Sequence, residues 1–469
     1  MAELTDMAIG EAGARIHARE VSPLELTEAY LRRIERLNPL INAYITITGK
    51  RALDEARRAT DELVAGRDRG PLHGIPIGLK DLYQTKGVRT TAGSKILADW
   101  VPDADSTVTR KLTEAGCVLL GKLNTHEFAW GVTTDNPHYG PTRNPWNTKR
   151  IPGGSSGGSG AAIAASLACG TMGTDTGGSI RIPAALCGCV GLKPTFGRVS
   201  KAGVVPMSWQ FDHAGPITRT VRDAAIMLGA VAGYDPADFA TVPVPVPDYT
   251  AGLEAGVKGL RVGVLRGYFS QLVDAEVAAS FETAAGVLRS LGADVRDLDI
   301  GMSLEVMMEA WGLVNAETQA YHAGSIGTRL QDFGQDLQAI LTAPLPDALG
   351  LARAYRASYD VKELFRRTFE EHDLLIAPGT RVTATEIGQQ TVTIQGAELP
   401  VSMAMAGLTM PFNIAGLPAL SLPCGFSGTG MPIAMQIAGR PFDEATVLRA
   451  GRAYEQATEW HLKRPELPA

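Results

Sequence analysis

Two glycine-glycine-serine clusters, Gly153-Gly154-Ser155-Ser156-Gly157-Gly158-Ser159 and Thr176-Gly177-Gly178-Ser179, stand close together between Ile151 and Pro194. No other stretch restricts the fold as strongly. A flexible linker would explain the composition but not the flanks. Ala161 to Cys169 is almost wholly apolar or small, and Thr171 to Thr174 reads as a short strand. A phosphate-cradling loop would need Gly-Lys-Ser/Thr after the glycines, and none follows. Gly154 to Gly158 satisfies the G-x-S-x-G pattern of a nucleophile elbow, but that elbow follows a strand and Thr142 to Pro152 is turn-rich. What the clusters do supply is backbone N–H groups brought close to hydroxyls by residues without a Cβ, which is what acyl transfer to a serine requires.

A lysine inside an apolar strand pattern is the second feature. Ile75-Pro76-Ile77-Gly78-Leu79-Lys80-Asp81 reads as a buried strand interrupted by Lys80. Such a lysine either snorkels out or pairs with an acid such as Asp81. Alternatively, burial lowers its pKa and makes it a base that a serine can use.

Helices alternate with short apolar strands through the rest of the chain. Ser22-Pro23-Leu24-Glu25 is a capping box opening a helix whose Leu26, Tyr30, Ile34 and Leu37 share a face, and a second helix is expected over Lys50 to Val64. Ser106 to Glu114 and Val221 to Val231 read as helices, as does Ala275 to Leu291. Cys117 to Lys122, Leu260 to Leu265, Asp373 to Pro378 and Ala419 to Pro423 read as strands, and Phe442 to Trp460 as a closing helix. Gly191-Leu-Lys-Pro-Thr195 and Gly215-Pro-Ile-Thr218 read as turns. The pattern implies an α/β fold with a central mixed, twisted sheet covered by helices on both faces. Within one domain over 1–469, N-terminal helices are expected over about 1–65 and a catalytic core over 70–235. A linker-like segment follows at about 236–258, then a helical cover over the pocket at about 300–373 and a return to the sheet over 374–469.

Bulk properties exclude several function classes. With 469 residues, 45% hydrophobic, 20% charged and a net charge of −6, the chain has no basic footprint for nucleic acid. No run of 18 apolar residues exists, and the N-terminus lacks a signal-peptide core, so a cytoplasmic location away from membranes is expected. Five scattered cysteines fit free buried thiols. His126-Glu127 is not continued into H-E-x-x-H, and Cys187-Gly-Cys189 has no second ligand pair, so neither metal nor cofactor is expected.

Taken together, Gly74-Ile-Pro-Ile-Gly-Leu-Lys80-Asp81, Pro152-Gly-Gly-Ser155-Ser-Gly-Gly-Ser159, Gly173-Thr-Asp175-Thr-Gly-Gly-Ser179-Ile-Arg181-Ile-Pro183, Gly191-Leu-Lys-Pro-Thr195 and Asn413-Ile-Ala-Gly-Leu-Pro418 resemble the amidase signature family over nearly the whole chain. The resemblance implies a Ser-cisSer-Lys triad. Ser179 would be the nucleophile, Ser155 the bridging serine on a cis peptide after Gly154, and Lys80 the base. It also implies an oxyanion hole from the N–H groups of Thr176, Gly177, Gly178 and Ser179, with Ser156, Asp175 and Arg181 supporting the loop. Trp130, with Ala129 and Gly131, stands where family members line the acyl pocket, although a plain core aromatic would read the same way.

Members of one branch, the glutaminase (A-type) subunits of tRNA-dependent amidotransferases, usually carry a glutamine-binding aspartate where this chain has Ala406. An unpaired ammonium in an apolar pocket is costly. The expectation is therefore a stand-alone serine hydrolase cleaving C–N bonds of hydrophobic or aryl amides through an acyl-enzyme. Esters and carbamates (urethanes) are within its reach. The expected partner is the small-molecule substrate, with no direct nucleic acid and room for a homodimer. The glutaminase subunit is the alternative.

Overall fold

The structure, a computed structural model, describes residues 4–467; residues 1–3 and 468–469, the ends of the expected 1–469 span, lie outside the described residues. Eleven strands form one sheet: β1 (Tyr44–Ile47), β2 (Pro76–Lys80), β3 (Val118–Leu123), β4 (Gly170–Asp175), β5 (Val190–Lys193), β6 (His213–Thr218), β7 (Arg261–Leu265), β8 (Asp294–Leu298), β9 (Leu374–Pro378), β10 (Ala419–Phe426) and β11 (Pro432–Gly439). Their order is β1-β3-β2-β4-β6-β5-β10-β11-β9-β7-β8. The sheet is mixed: β3, β2 and β4 run parallel, as do β9, β7 and β8, while β6, β5, β10 and β11 pair antiparallel between them. Helices cover both faces, as the alternation of patterns predicts.

Local rules account for the helix ends. Ser22 accepts from the Glu25 N–H and the Glu25 carboxylate accepts from the Ser22 N–H, the reciprocal cap expected for the helix Pro23–Ile41. Val221–Val231 is helical as read, with Thr220 capping it. Two readings are corrected. Gly191 and Gly215 lie in strands β5 and β6 rather than in turns. A Cβ on Gly191 would strike Ala184, and one on Gly215 would strike the Leu192 carbonyl. These glycines serve close packing of strand on strand and helix on sheet, which sequence pattern cannot distinguish from turn chemistry.

Three parallel strands place the site. In β2 and β4, Leu79 pairs with Met172, so Lys80 and the Thr174-Asp175 pair emerge at the carboxyl ends of adjacent strands. In open α/β sheets this is where ligands collect. The helix Gly157–Ala164, every residue buried, packs small side chains against the sheet and carries the first serine cluster to the same edge. Of the stretch expected to form the cover, the helices Leu304–Arg329 and Gln335–Leu341 bring Met308, Trp311 and Ile340 to the cavity at that edge, and Ala348–Glu371 packs on Leu304–Arg329. In the segment 236–258, Val242 to Pro247 are exposed while Tyr249, Leu253 and Val257 are buried in the body.

Candidate active site

Lys80 is fully buried at the end of β2. Its Nζ lies 2.7 Å from Ser155 Oγ and 2.8 Å from Thr174 Oγ1. Asp81, the acid next to it in sequence, points elsewhere. It pairs with the equally buried Lys122 at 3.2 Å and accepts from Thr91. Among the described residues Lys80 is thus left with hydroxyl hydrogen-bond partners only. Burial pushes its pKa down to about 7, against the pull of Asp212 and Asp175, which favour the charged form. An amine of that pKa is substantially neutral near neutral pH and can accept a proton.

The Gly154–Ser155 peptide is cis. Ser156, the next residue, ties the first cluster to β4, its Oγ lying 3.2 Å from the Thr174 carbonyl and 3.3 Å from the Thr174 N–H. The Ser179 carbonyl accepts from the Ser156 N–H at 3.2 Å, joining the two clusters through backbone. Among the described residues the Ser179 hydroxyl itself has no hydrogen-bond partner, and the residue is 7% exposed, toward a cavity.

Asp175 and Arg181 organise the loop that carries Ser179. The Asp175 carboxylate accepts from the N–H groups of Gly178, Ile180 and Arg181 and from the Arg181 guanidinium at 3.0 Å. Asn413 and Gln436 complete the cluster, both accepting from Arg181, with Asn413 donating back to Asp175. Burial alone would raise the Asp175 pKa; Arg181, Lys193 and the Asn413 hydrogen bond overcome it and hold the carboxyl far below the usual range. Arg181→Met should therefore leave a buried charge unpaired and cost roughly 3–5 kcal/mol, read from chemical denaturation.

This wiring corrects one expected donor. The Gly178 N–H is committed to Asp175 at 2.8 Å and cannot face an oxyanion. The N–H groups of Thr176, Gly177 and Ser179 have no such partner among the described residues. The Gly177 carbonyl is fixed by Thr409, and a Cβ at Gly177 would strike the Trp311 indole.

The cavity beside Ser179 has a volume of about 310 Å³. Ala129, Trp130 and Gly131 form one wall, on a loop where Phe128 and Ala129 adopt the uncommon left-handed conformation, φ 46° and 64°. The helices Leu304–Arg329 and Gln335–Leu341, in the stretch expected as the cover, supply Met308, Trp311 and Ile340, and Met403, Ala406 and Met410 also line the cavity. Among the described residues, none that lines the cavity carries a charge. His126, against which Gly131 packs, bonds Asp336 at 2.6 Å and so ties the wall to the cover.

Sequence reasoning gave no role to Thr174, Gln436, Asn413, Trp311 or Asp212. Gln436 had a signal, a lone amide inside the apolar run of β11. Thr174 had one too, within the Gly173-Thr-Asp175 string.

A sequence model of amidases matches residues 25–448. The chain belongs to the amidase family. Like other amidases it is a hydrolase acting on carbon–nitrogen bonds. It is 41% identical to the A-type subunit of glutamyl-tRNA(Gln) amidotransferase from Geobacter sp. strain M21, over 99% of this chain and 100% of that one. Against the same subunit from Moorella thermoacetica the identity is 43%, over 99% of each. The solved structure of a bacterial aryl acylamidase of the amidase signature family superposes with a TM-score of 0.91 at 29% identity, covering 99% of both chains.

These relatives overturn two expectations drawn from the sequence. A stand-alone hydrolase of hydrophobic or aryl amides is not what the 41–43% identical, full-length relatives are named for. The expectation of a small-molecule partner with no direct nucleic acid falls with it, since those relatives are subunits of an enzyme named for a tRNA. The sequence reading weighted local departures, the missing carboxylate at Ala406 and the apolar wall at Trp130, above similarity along the whole amidase body. An ammonium that stays in water needs no such partner.

Proposed function

We propose that this amidase is the amide-cleaving subunit of a glutamyl-tRNA(Gln) amidotransferase, working through an acyl-enzyme on Ser179. Full-length similarity to the A-type subunits carries the reading, and the arrangement around Lys80 supports the chemistry. Neutral Lys80 takes a proton from Ser155 as Ser155 takes one from Ser179, and Ser179 Oγ bonds to the amide carbon. The N–H groups of Thr176, Gly177 and Ser179 stabilise the oxyanion. As the C–N bond breaks, the proton returns through Ser155 to the leaving nitrogen. Water then attacks the ester by the same relay, releasing the acid and restoring Ser179.

In this reading the glutamine amide lies at Ser179 and its aliphatic chain against Trp130 and Met410. The α-ammonium is directed to the cavity mouth, because none of the described lining side chains carries an opposite charge. Ala406→Asp should then raise kcat/KM for glutamine by about tenfold or more, the worth of a hydrogen bond to a charged group. The test of the function is glutamine hydrolysis by the chain alone and with the other subunits of such an amidotransferase. Transfer of ammonia to glutamyl-tRNA in the reconstituted enzyme supports the reading, and failure to hydrolyse glutamine in either setting sinks it.

A further inference from the structure

The turn leading into β6 lies between the loop of Ser179 and the cover. Asp212, 8% exposed, is its hub. Its Oδ1 accepts from Thr176 Oγ1 at 2.5 Å, and its Oδ2 accepts from the N–H groups of Met207 at 2.9 Å and Ser208 at 3.1 Å. Thr176 and Met207 both line the substrate cavity. From the other side, Glu317 accepts from the Ser208 hydroxyl and from Gln210, and Thr318 Oγ1 donates to the Met207 carbonyl at 3.1 Å. Glu317 and Thr318 belong to the cover helix Leu304–Arg329, which also carries Met308 and Trp311 into the cavity.

Asp212 also faces a second cavity, of about 220 Å³, whose wall it shares with Thr174 and Lys201. Thr174 is the residue whose hydroxyl meets Lys80. We propose that Asp212 is a positioning residue for acyl transfer: it anchors the Ser179 loop, through Thr176, to the turn bonded to the helix Leu304–Arg329, and its carboxylate acts on Lys80 beside Thr174, with which it shares a cavity wall. This rests on the roles of Ser179 and Lys80 proposed above.

The charges around the pair fix the sign of the effect. Asp175, the other carboxylate acting on Lys80, is clamped by Arg181. Burial raises the Asp212 pKa above the ordinary carboxylate value, while Lys201, which in turn lies near Asp238 and Glu317, and the hydrogen bonds from Thr176, Met207 and Ser208 favour its charged form. The neighbouring His213 imidazole is buried, which disfavours its charged form, and its Nδ1 lies against the carbonyls of Phe211 and Asp175. A carboxylate at Asp212 favours protonated Lys80, so removing its charge lets Lys80 lose its proton at lower pH.

The experiment is the rate at which a fluorophosphonate labels Ser179, followed between about pH 5 and 9. In the wild type the rate should rise with pH as Lys80 deprotonates. Asp212→Asn should move that rise down by about one pH unit and lower the plateau. Thr176→Val keeps the charge and loses the anchor, so it should lower the plateau and leave the rise in place. Asp212→Glu, which keeps the charge, should also leave it in place. An unmoved rise in a folded Asp212→Asn, or a moved one in Asp212→Glu, overturns the role of Asp212. If the wild type is not labelled at Ser179, the reading beneath it is overturned instead.

Discussion

Ser179→Ala is expected to lower amide turnover by about four orders of magnitude or more while leaving the fold intact, because in the proposed mechanism it removes the atom that bonds covalently to the substrate. Both halves of that expectation come from the geometry. The Ser179 hydroxyl has no hydrogen-bond partner among the described residues, so its removal orphans no buried group. The loop is held by others: Asp175 with its three backbone donors, Arg181, and Thr409 on the Gly177 carbonyl. Stability measured by denaturation should therefore stay within about 0.5 kcal/mol of the wild type. Residual turnover should reflect only what Lys80, Ser155 and the donors do for an attacking water. Fluorophosphonate labelling adds a second readout, since the label should vanish in Ser179→Ala. If it remained on Ser155 or Ser156, the nucleophile would have been misassigned.

The parts of the site that were legible in the sequence are those encoded locally. Ser155, Ser179 and Lys80 stand in strings whose composition is unusual for their place, glycines beside serines and a lysine in an apolar strand. The capping box at Ser22 and the helix at Val221 were legible for the same reason. What could not be read is what folding brings together from afar. Arg181 meets Gln436 and Asn413, Thr176 meets Asp212, and Ser208 meets Glu317. Nothing in the local pattern of either partner names the other. The glycines of β5 and β6 were misread because close approach and tight turning call for the same residue. Lys80 itself was ambiguous until Asp81 was found paired with Lys122.

Lys80→Met tests the base, and its two readouts have the same cause. Methionine fills a similar volume but takes no proton, so acylation should slow by about 10³-fold, within the range for a lost general base. In the wild type the rate should climb with pH through about 7, the value to which burial lowers Lys80. That midpoint belongs to Lys80 together with the serines it serves. The variant should lack the climb. Stability should report the same titration. The folded-state pKa lies below the unfolded value of about 10.4, so between the two the unfolded chain binds a proton that the folded chain does not. Wild-type stability should therefore rise with pH across that window, relative to Lys80→Met, by about 1.4 kcal/mol per pH unit. Below about pH 7 both states of the wild type carry the proton, the cost of the buried charge is fully present, and the difference between the proteins should be flat. Denaturation curves for the pair at several pH values measure this directly. A difference that stays flat from neutral to alkaline pH would mean that Lys80 keeps its charge in the folded protein, and a permanently charged Lys80 could not take the proton from Ser155.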